Sequence, residues 1–248
     1  MKTFFRKTLI LIFWILVWGA LAAAVDKKLL LPSPRAVIVR LFALCGTAAF
    51  WQSVLFSLVR MLIGIALGIA AGLVLALITS KAELVKQLIS PLLTVIKATP
   101  VASFIILMLI WIGRDTIPAV IAALLVLPMV WSNVSAGISN VDRDLLEMAR
   151  VYRMGFFTKL GKIVIPSLRP YFLSAVQAGI GMGWKAGVAA EVLTLPRLSI
   201  GKHIYDSKLY LETTDLFAWT LVVVIISLVV EKAAVAAIGK RAKRRNKV

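Results

Sequence analysis

From Trp51 to Thr79 the chain carries a single charged residue, Arg60. About 20 apolar residues suffice for a helix to cross the hydrocarbon core of a bilayer, whereas a soluble helix of that length shows a polar face. This run shows no such face, so lipid is its natural solvent. The pattern recurs along the chain. Apolar runs cover Thr8 to Val25, about Leu88 to Ile112 with a break at Thr99-Pro100, about Ile117 to Ile138 around Pro128, about Pro166 to Ala190, and about Leu216 to Val230. The sequence therefore predicts an all-α membrane protein with about six spanning helices. Its 61% hydrophobic content exceeds what a single aqueous core hides.

Residues 1–50 read as an N-terminal anchor helix followed by an interfacial segment. The first run follows Lys2, Arg6 and Lys7, and Ala22-Ala23-Ala24 offers small residues for signal cleavage. Its length exceeds the usual signal core, so a retained anchor is the expectation. Leu31-Pro-Ser-Pro34 breaks the chain, and Arg35 to Cys45 reads as a short amphipathic helix lying in the interface. Residues 51–235 then form the main membrane domain, and 236–248 a basic tail. Gly64, Gly68 and Gly72 share one helix face, and Gly179, Gly181 and Gly183 form a second cluster; close helix packing is expected at both.

The charge balance is lopsided, with 29 Lys and Arg against 11 Asp and Glu. Basic residues lie between apolar runs rather than on a soluble face, which argues against nucleic acid and for an orientation signal. With six spans both termini share a side. Placing them inside puts Lys2, Arg6, Lys7, Lys81, Lys86, Arg143, Arg150, Arg153, Lys159, Lys162 and the tail from Lys232 on the inner face. Lys27, Lys28, Arg35, Arg40, Arg114, Arg197, Lys202 and Lys208 fall outside. The inner set is about twice the outer one, so both termini are expected in the cytoplasm. Cys45 is the only cysteine and His203 the only histidine. That leaves no intrachain disulfide, no multi-ligand His/Cys metal site and no H-E-x-x-H motif. No phosphate-binding G-x-x-x-x-G-K-[ST] loop occurs.

This orientation puts Asn140 to Ile165, the longest polar stretch on its side, in the cytoplasm. Leu145, Met148, Val151 and Tyr152 recur at helical spacing between charges, and Phe156, Phe157, Leu160 and Ile163 follow before Pro166. Gly155 is the expected turn between two short amphipathic helices. Such a knob can lie on lipid, dock on the protein's own body, or fill a groove in another protein.

The stretch resembles the "EAA" signature of the membrane-spanning subunits of ABC importers, E-A-A-x3-G-x9-I-x-L-P. Glu147 matches the Glu, Ala149 the third position, Ile163 the Ile and Pro166 the final Pro. Met148 replaces the first Ala, Ile165 stands for the Leu, and Arg153 occupies the glycine position, with Gly155 two residues later. The kept spacing reads as a locally altered turn. The run Gly183-Trp-Lys-Ala-Gly-Val-Ala-Ala-Glu191, followed by Ser199-Ile-Gly201, is similar to the branch grouped with nitrate, sulfonate and taurine uptake.

The resemblance implies a type I importer permease of MetI-like architecture in a bacterial plasma (inner) membrane. It implies a second permease copy, a cytoplasmic ABC ATPase dimer, and an extracytoplasmic solute-binding protein. ATP and Mg would sit on the ATPase, with no cofactor on this chain. Docking would fall to Glu147, Ala149, Gly155, Ile163 and Pro166. Substrates in the branch include small anions, with a thiamine-precursor-like compound as the alternative. Charges inside spans are costly and usually paired or functional, which singles out Lys97, Lys185 and Glu191 for the substrate pathway. For Lys185 an internal pair with Glu191, or snorkelling, is the plainer reading. A secondary transporter or channel would need an inverted repeat or several intramembrane carboxylates, and an intramembrane enzyme a His-based or paired-carboxylate site. Neither pattern is present in the sequence.

Overall fold

The structure, a computed structural model, describes residues 2–27 and 29–245. Its helices are α1 (Lys2–Val25), α2 (Pro34–Cys45), α3 (Ala48–Thr79), α4 (Glu83–Ala98), α5 (Val101–Met108), α6 (Ile117–Ser139), α7 (Arg143–Val151), α8 (Phe156–Lys159), α9 (Ile165–Thr194), α10 (Ile200–Leu209) and α11 (Thr213–Arg245). Among the described residues there is no strand. Among the described residues four helices are long and apolar enough to cross a membrane: α1, α3, α6 and α11. Helices α4 and α5 make a fifth if counted as one broken span, bent by 100°. The bend falls at Thr99-Pro100, where Pro100 disfavours helix at the residue before it. Helix α9, with 30 residues, is long enough to be the sixth but has no stretch as apolar as those spans. The reason lies in one face of it, described below. The basic tail expected from 236 onward runs into α11, but its side chains beyond Ala236 lie outside the described residues, as do those of Lys2, Lys7 and Lys28.

The chain divides into two compact units. The first comprises Met1–Leu58 and Leu195–Ile226. Ser33 caps α2 by accepting from the Ala36 N–H at 3.3 Å, with Pro34 in the first helical turn. Arg40 donates through Nε and Nη2 to both oxygens of Asp215, at 2.6 and 2.7 Å, and ties α2 to the start of α11. That hydrogen bond is the main reason the Arg40 pKa is raised. His203 lies flat on Trp219, with ring centroids 4.4 Å apart, and its Nε2 is 2.9 Å from Ser53 Oγ. Burial pushes the His203 pKa down. Ser57 Oγ accepts from the Ile200 N–H at 2.9 Å, which anchors the N-terminus of α10. Helix α10 was not expected from the sequence, because its ten residues are largely polar and too few to form an apolar run.

The second unit comprises Val59–Thr194 and Ser227–Val248. Here α6 packs along α9 as its central pair, and α3 lies against both. The glycine row on α3 is what permits this. A Cβ on Gly68 would lie 2.7 Å from the Ala123 carbonyl oxygen, and one on Gly72 2.6 Å from that of Leu127; Gly64 faces Ala119 the same way. The pairs advance together along both chains, so α3 and α6 run parallel, backbone against backbone. On α9 the packed row is Gly179 and Gly183 against Val126, with Gly187 against Met61. Gly181, grouped with them from sequence, faces open space instead. Because Gly137 of α6 meets Tyr171 while Val126 meets Gly179 and Gly183, α6 and α9 run antiparallel.

Candidate functional site

The stretch between α6 and α9 folds as a knob. Asp142 caps α7, its side chain accepting from the Asp144 N–H at 2.9 Å. Ala149 and Ile163 are 2% and 5% exposed and pack with Val141, Leu146 and Met154 in a small core of their own. Those two signature positions therefore hold the knob together from inside. Glu147 is on its exposed surface. Around it the knob presents Val151, Tyr152, Phe156 and Phe157, the last 85% exposed.

The turn corrects the sequence expectation. Gly155 has φ −62° and ψ 153°, an ordinary extended conformation, and it precedes α8 without turning the chain. The left-handed residue is Arg153, with φ 47°. The Arg153 N–H donates to the Arg150 carbonyl at 3.0 Å and the Met154 N–H to the Ala149 carbonyl at 2.9 Å. This is the six-residue helix ending in which the residue after the cap is left-handed, and Met154 supplies the usual apolar contact back onto the helix. The turn thus stays where the signature has glycine, and an arginine adopts glycine's conformation at a cost of about 1–2 kcal/mol. Arg153→Gly is expected to stabilise α7 by about 1 kcal/mol, read as roughly fivefold slower hydrogen exchange at the Met154 amide.

The second helix of the knob does not stop before Pro166. Helix α8 continues through a π-helical turn, Leu160–Val164, into α9, with the Ile165 N–H donating to the Leu160 carbonyl. Pro166 explains the wider turn: it has no N–H, and its ring would collide with the carbonyl four residues back. The knob is therefore continuous with α9.

That helix leads to the second feature, an open cavity of about 1110 Å³. One stripe of α9, formed by Ser174, Gln177, Gly181, Lys185 and their i+4 neighbours, lines it. This stripe is what lowers the apolar character of α9. Ser132 and Asn133 of α6, Lys97 and Thr99 at the α4–α5 bend, and Glu231 of α11 complete the polar lining. Gln177 Nε2 donates to Glu231 Oε1 at 3.3 Å. Among the described residues Lys97 and Lys185 have no ion-pair partner, and both are exposed to the cavity.

Glu191 sits elsewhere. It is fully buried, and Arg60 Nη1 donates to its Oε1 at 2.6 Å. The internal pair weighed for Lys185 is thus made by Arg60, the single charge in the run from Trp51 to Thr79. Between this pair and the cavity lies an apolar cluster of Ile105, Ile117, Ile121, Leu125, Ala186 and Ala190. Leu125 and Ala186 belong both to that cluster and to the cavity wall, so the cluster borders the cavity.

Comparison with known proteins places these features in context. The family described as binding-protein-dependent transport system inner membrane component matches residues 64–244. The chain is 24% identical to the taurine transport system permease protein TauC of Escherichia coli (strain K12) over 220 residues, covering 86% of this chain and 80% of that protein. It is 30% identical to the aliphatic sulfonates transport permease protein SsuC of the same strain over 185 residues, covering 74% and 70%. Among solved structures it resembles the crystal structure of an amino acid ABC transporter with histidines, with a TM-score of 0.62 and 19% identity over 84% of this chain and 96% of that one. At that identity the likeness concerns the fold.

Proposed function

The chain belongs to the binding-protein-dependent transport system inner membrane components, the multi-pass permease subunits of ABC importers, and on that premise we propose that it carries a small sulfonate-class anion. The observation that carries this reading is the pair Lys97 and Lys185 on the cavity wall, free of ion-pair partners among the described residues. An ammonium within a membrane span is stable only where water or a counter-ion reaches it. Two of them facing one cavity make a passage that favours anions. Glu231, held by Gln177 on the same wall, favours an aminosulfonate over a simple oxyanion.

The rest of the machine follows. Both termini and the knob face the cytoplasm, where the exposed aromatic surface and Glu147 seat an ABC ATPase that binds ATP and Mg. A second copy of the chain covers the open side of the cavity, since lipid is a poor neighbour for Lys185 and Asn133. A solute-binding protein delivers substrate from the opposite face. Because the π turn joins knob to α9, motion of the ATPase reaches the cavity wall through one continuous helix.

The test is uptake of taurine and ethanesulfonate by proteoliposomes holding the complete complex. Lys185→Met is expected to lower uptake of both by about tenfold or more, the loss of one charge-assisted contact, with assembly unchanged. Uptake at the wild-type rate would remove Lys185 from the pathway.

A further inference from the structure

Arg60 stands between two carboxylates. Its Nη1 is 2.6 Å from Glu191, which is fully buried, and its Nη2 is 3.7 Å from Asp115, whose side chain is 63% exposed. The two arms differ in kind. The Glu191 arm is short and walled off from solvent, so it fixes the guanidinium to α9. The Asp115 arm is long and wet, the sort of contact that forms and breaks readily. Asp115 lies on the turn between α5 and α6, closed by the Thr116 N–H on the Gly113 carbonyl at 3.0 Å. A side chain at Gly113 would meet nothing within 4 Å, so the turn borders open space between Ile112 and Ile117, which pack on the cluster beside it. On either side of the turn Ile105 and Ile117 join Ile121 in the apolar cluster that borders the cavity. Neither Lys97 nor Lys185 takes part, so the cluster belongs to none of the polar groups that line the passage.

We infer that Arg60 and Asp115 form a latch on the extracytoplasmic gate: Glu191 holds the arginine in place, and Asp115 releases to let the α5–α6 turn swing away from the cavity. The fixed arm sets where the turn returns, and the labile arm sets how often it leaves. A latch of this strength biases the closed state by about two- to fivefold, enough to hold the gate between cycles and weak enough for binding of a delivery protein to open it. Assignment of this end to the extracytoplasmic face rests on the proposed orientation.

Cys45 is the only cysteine, so Cys45→Ala gives a background in which Gly181→Cys on the cavity wall reports access. The complete complex in proteoliposomes is labelled from either face with an uncharged, membrane-impermeant polyethylene-glycol maleimide. Adding Asp115→Asn is expected to speed labelling from the extracytoplasmic face about two- to fivefold, with the thermal midpoint unchanged. The neighbouring Arg114→Gln, offered as a control, is expected to leave the rate alone. An unchanged rate with Asp115→Asn overturns the latch, as does a faster rate accompanied by a lower thermal midpoint, which would mean general loosening. Acceleration from the opposite face alone would support the latch and overturn the orientation.

Discussion

Glu191→Ala is expected to lower the stability of the fold by about 3–5 kcal/mol, the largest loss of any single substitution considered for this chain. The carboxylate it removes is fully buried and makes a 2.6 Å contact with Arg60. The arginine side chain is only 12% exposed and would be left with Asp115 at 3.7 Å as its one remaining carboxylate. A buried charge stranded in this way costs more than the pair contributed when intact. Arg60→Ala is expected to be comparably damaging for the mirror-image reason. The paired replacement Arg60→Met with Glu191→Leu is expected to recover most of the loss, because it strands no charge. The folded fraction that survives heating in detergent checks this. Equal instability of the double variant would mean that the site needs its polar geometry as such.

Glu147→Arg is expected to weaken capture of the ATPase by about tenfold or more while leaving membrane insertion and the knob's own fold intact. The residues that hold the knob together are not the one proposed to meet the ATPase. Ala149 and Ile163 are buried within the knob, so larger or polar substitutions there are expected to destabilise it. Glu147 touches none of that small core and sits on the exposed face with Val151, Tyr152 and Phe157. A reversed charge there changes what the knob meets without changing what it is. Co-purification of the ATPase with the variant at the wild-type level would take Glu147 out of the contact, and the aromatic residues beside it would then be the next to truncate, since exposed aromatics dominate many interfaces.

Much of this was legible in the sequence for a physical reason. Apolar run length is fixed by bilayer thickness, so the spans near Thr8, Trp51, Ile117 and Leu216 stood out, and the break at Thr99-Pro100 fell where the chain bends by 100°. The first compact unit joins the N-terminal segment to residues from Leu195 onward, contacts that only folding creates and that a division into 1–50, 51–235 and 236–248 does not describe. The knob was legible because its signature spacing is local. Its turn was misread at Gly155, since residue identity names the best tenant of a left-handed position and Arg153 is a poor one that the helix ending enforces. The pairing of Arg60 with Glu191 was out of reach: 131 residues separate them, and no periodicity connects them until α3 and α9 are placed. The two faces of α9 were likewise invisible, so Gly181 was grouped with packing glycines and Gly187 was passed over.

The central claim is that this permease moves an anion only when a separate ATPase drives it through the knob. Its most direct test is taurine uptake by proteoliposomes containing either the purified chain alone or the chain with its co-purified ATPase and binding protein. The expected result is no uptake by the chain alone under any proton or sodium gradient, and uptake by the complex that requires ATP and is lost with Glu147→Arg. Gradient-driven uptake by the chain alone would contradict it.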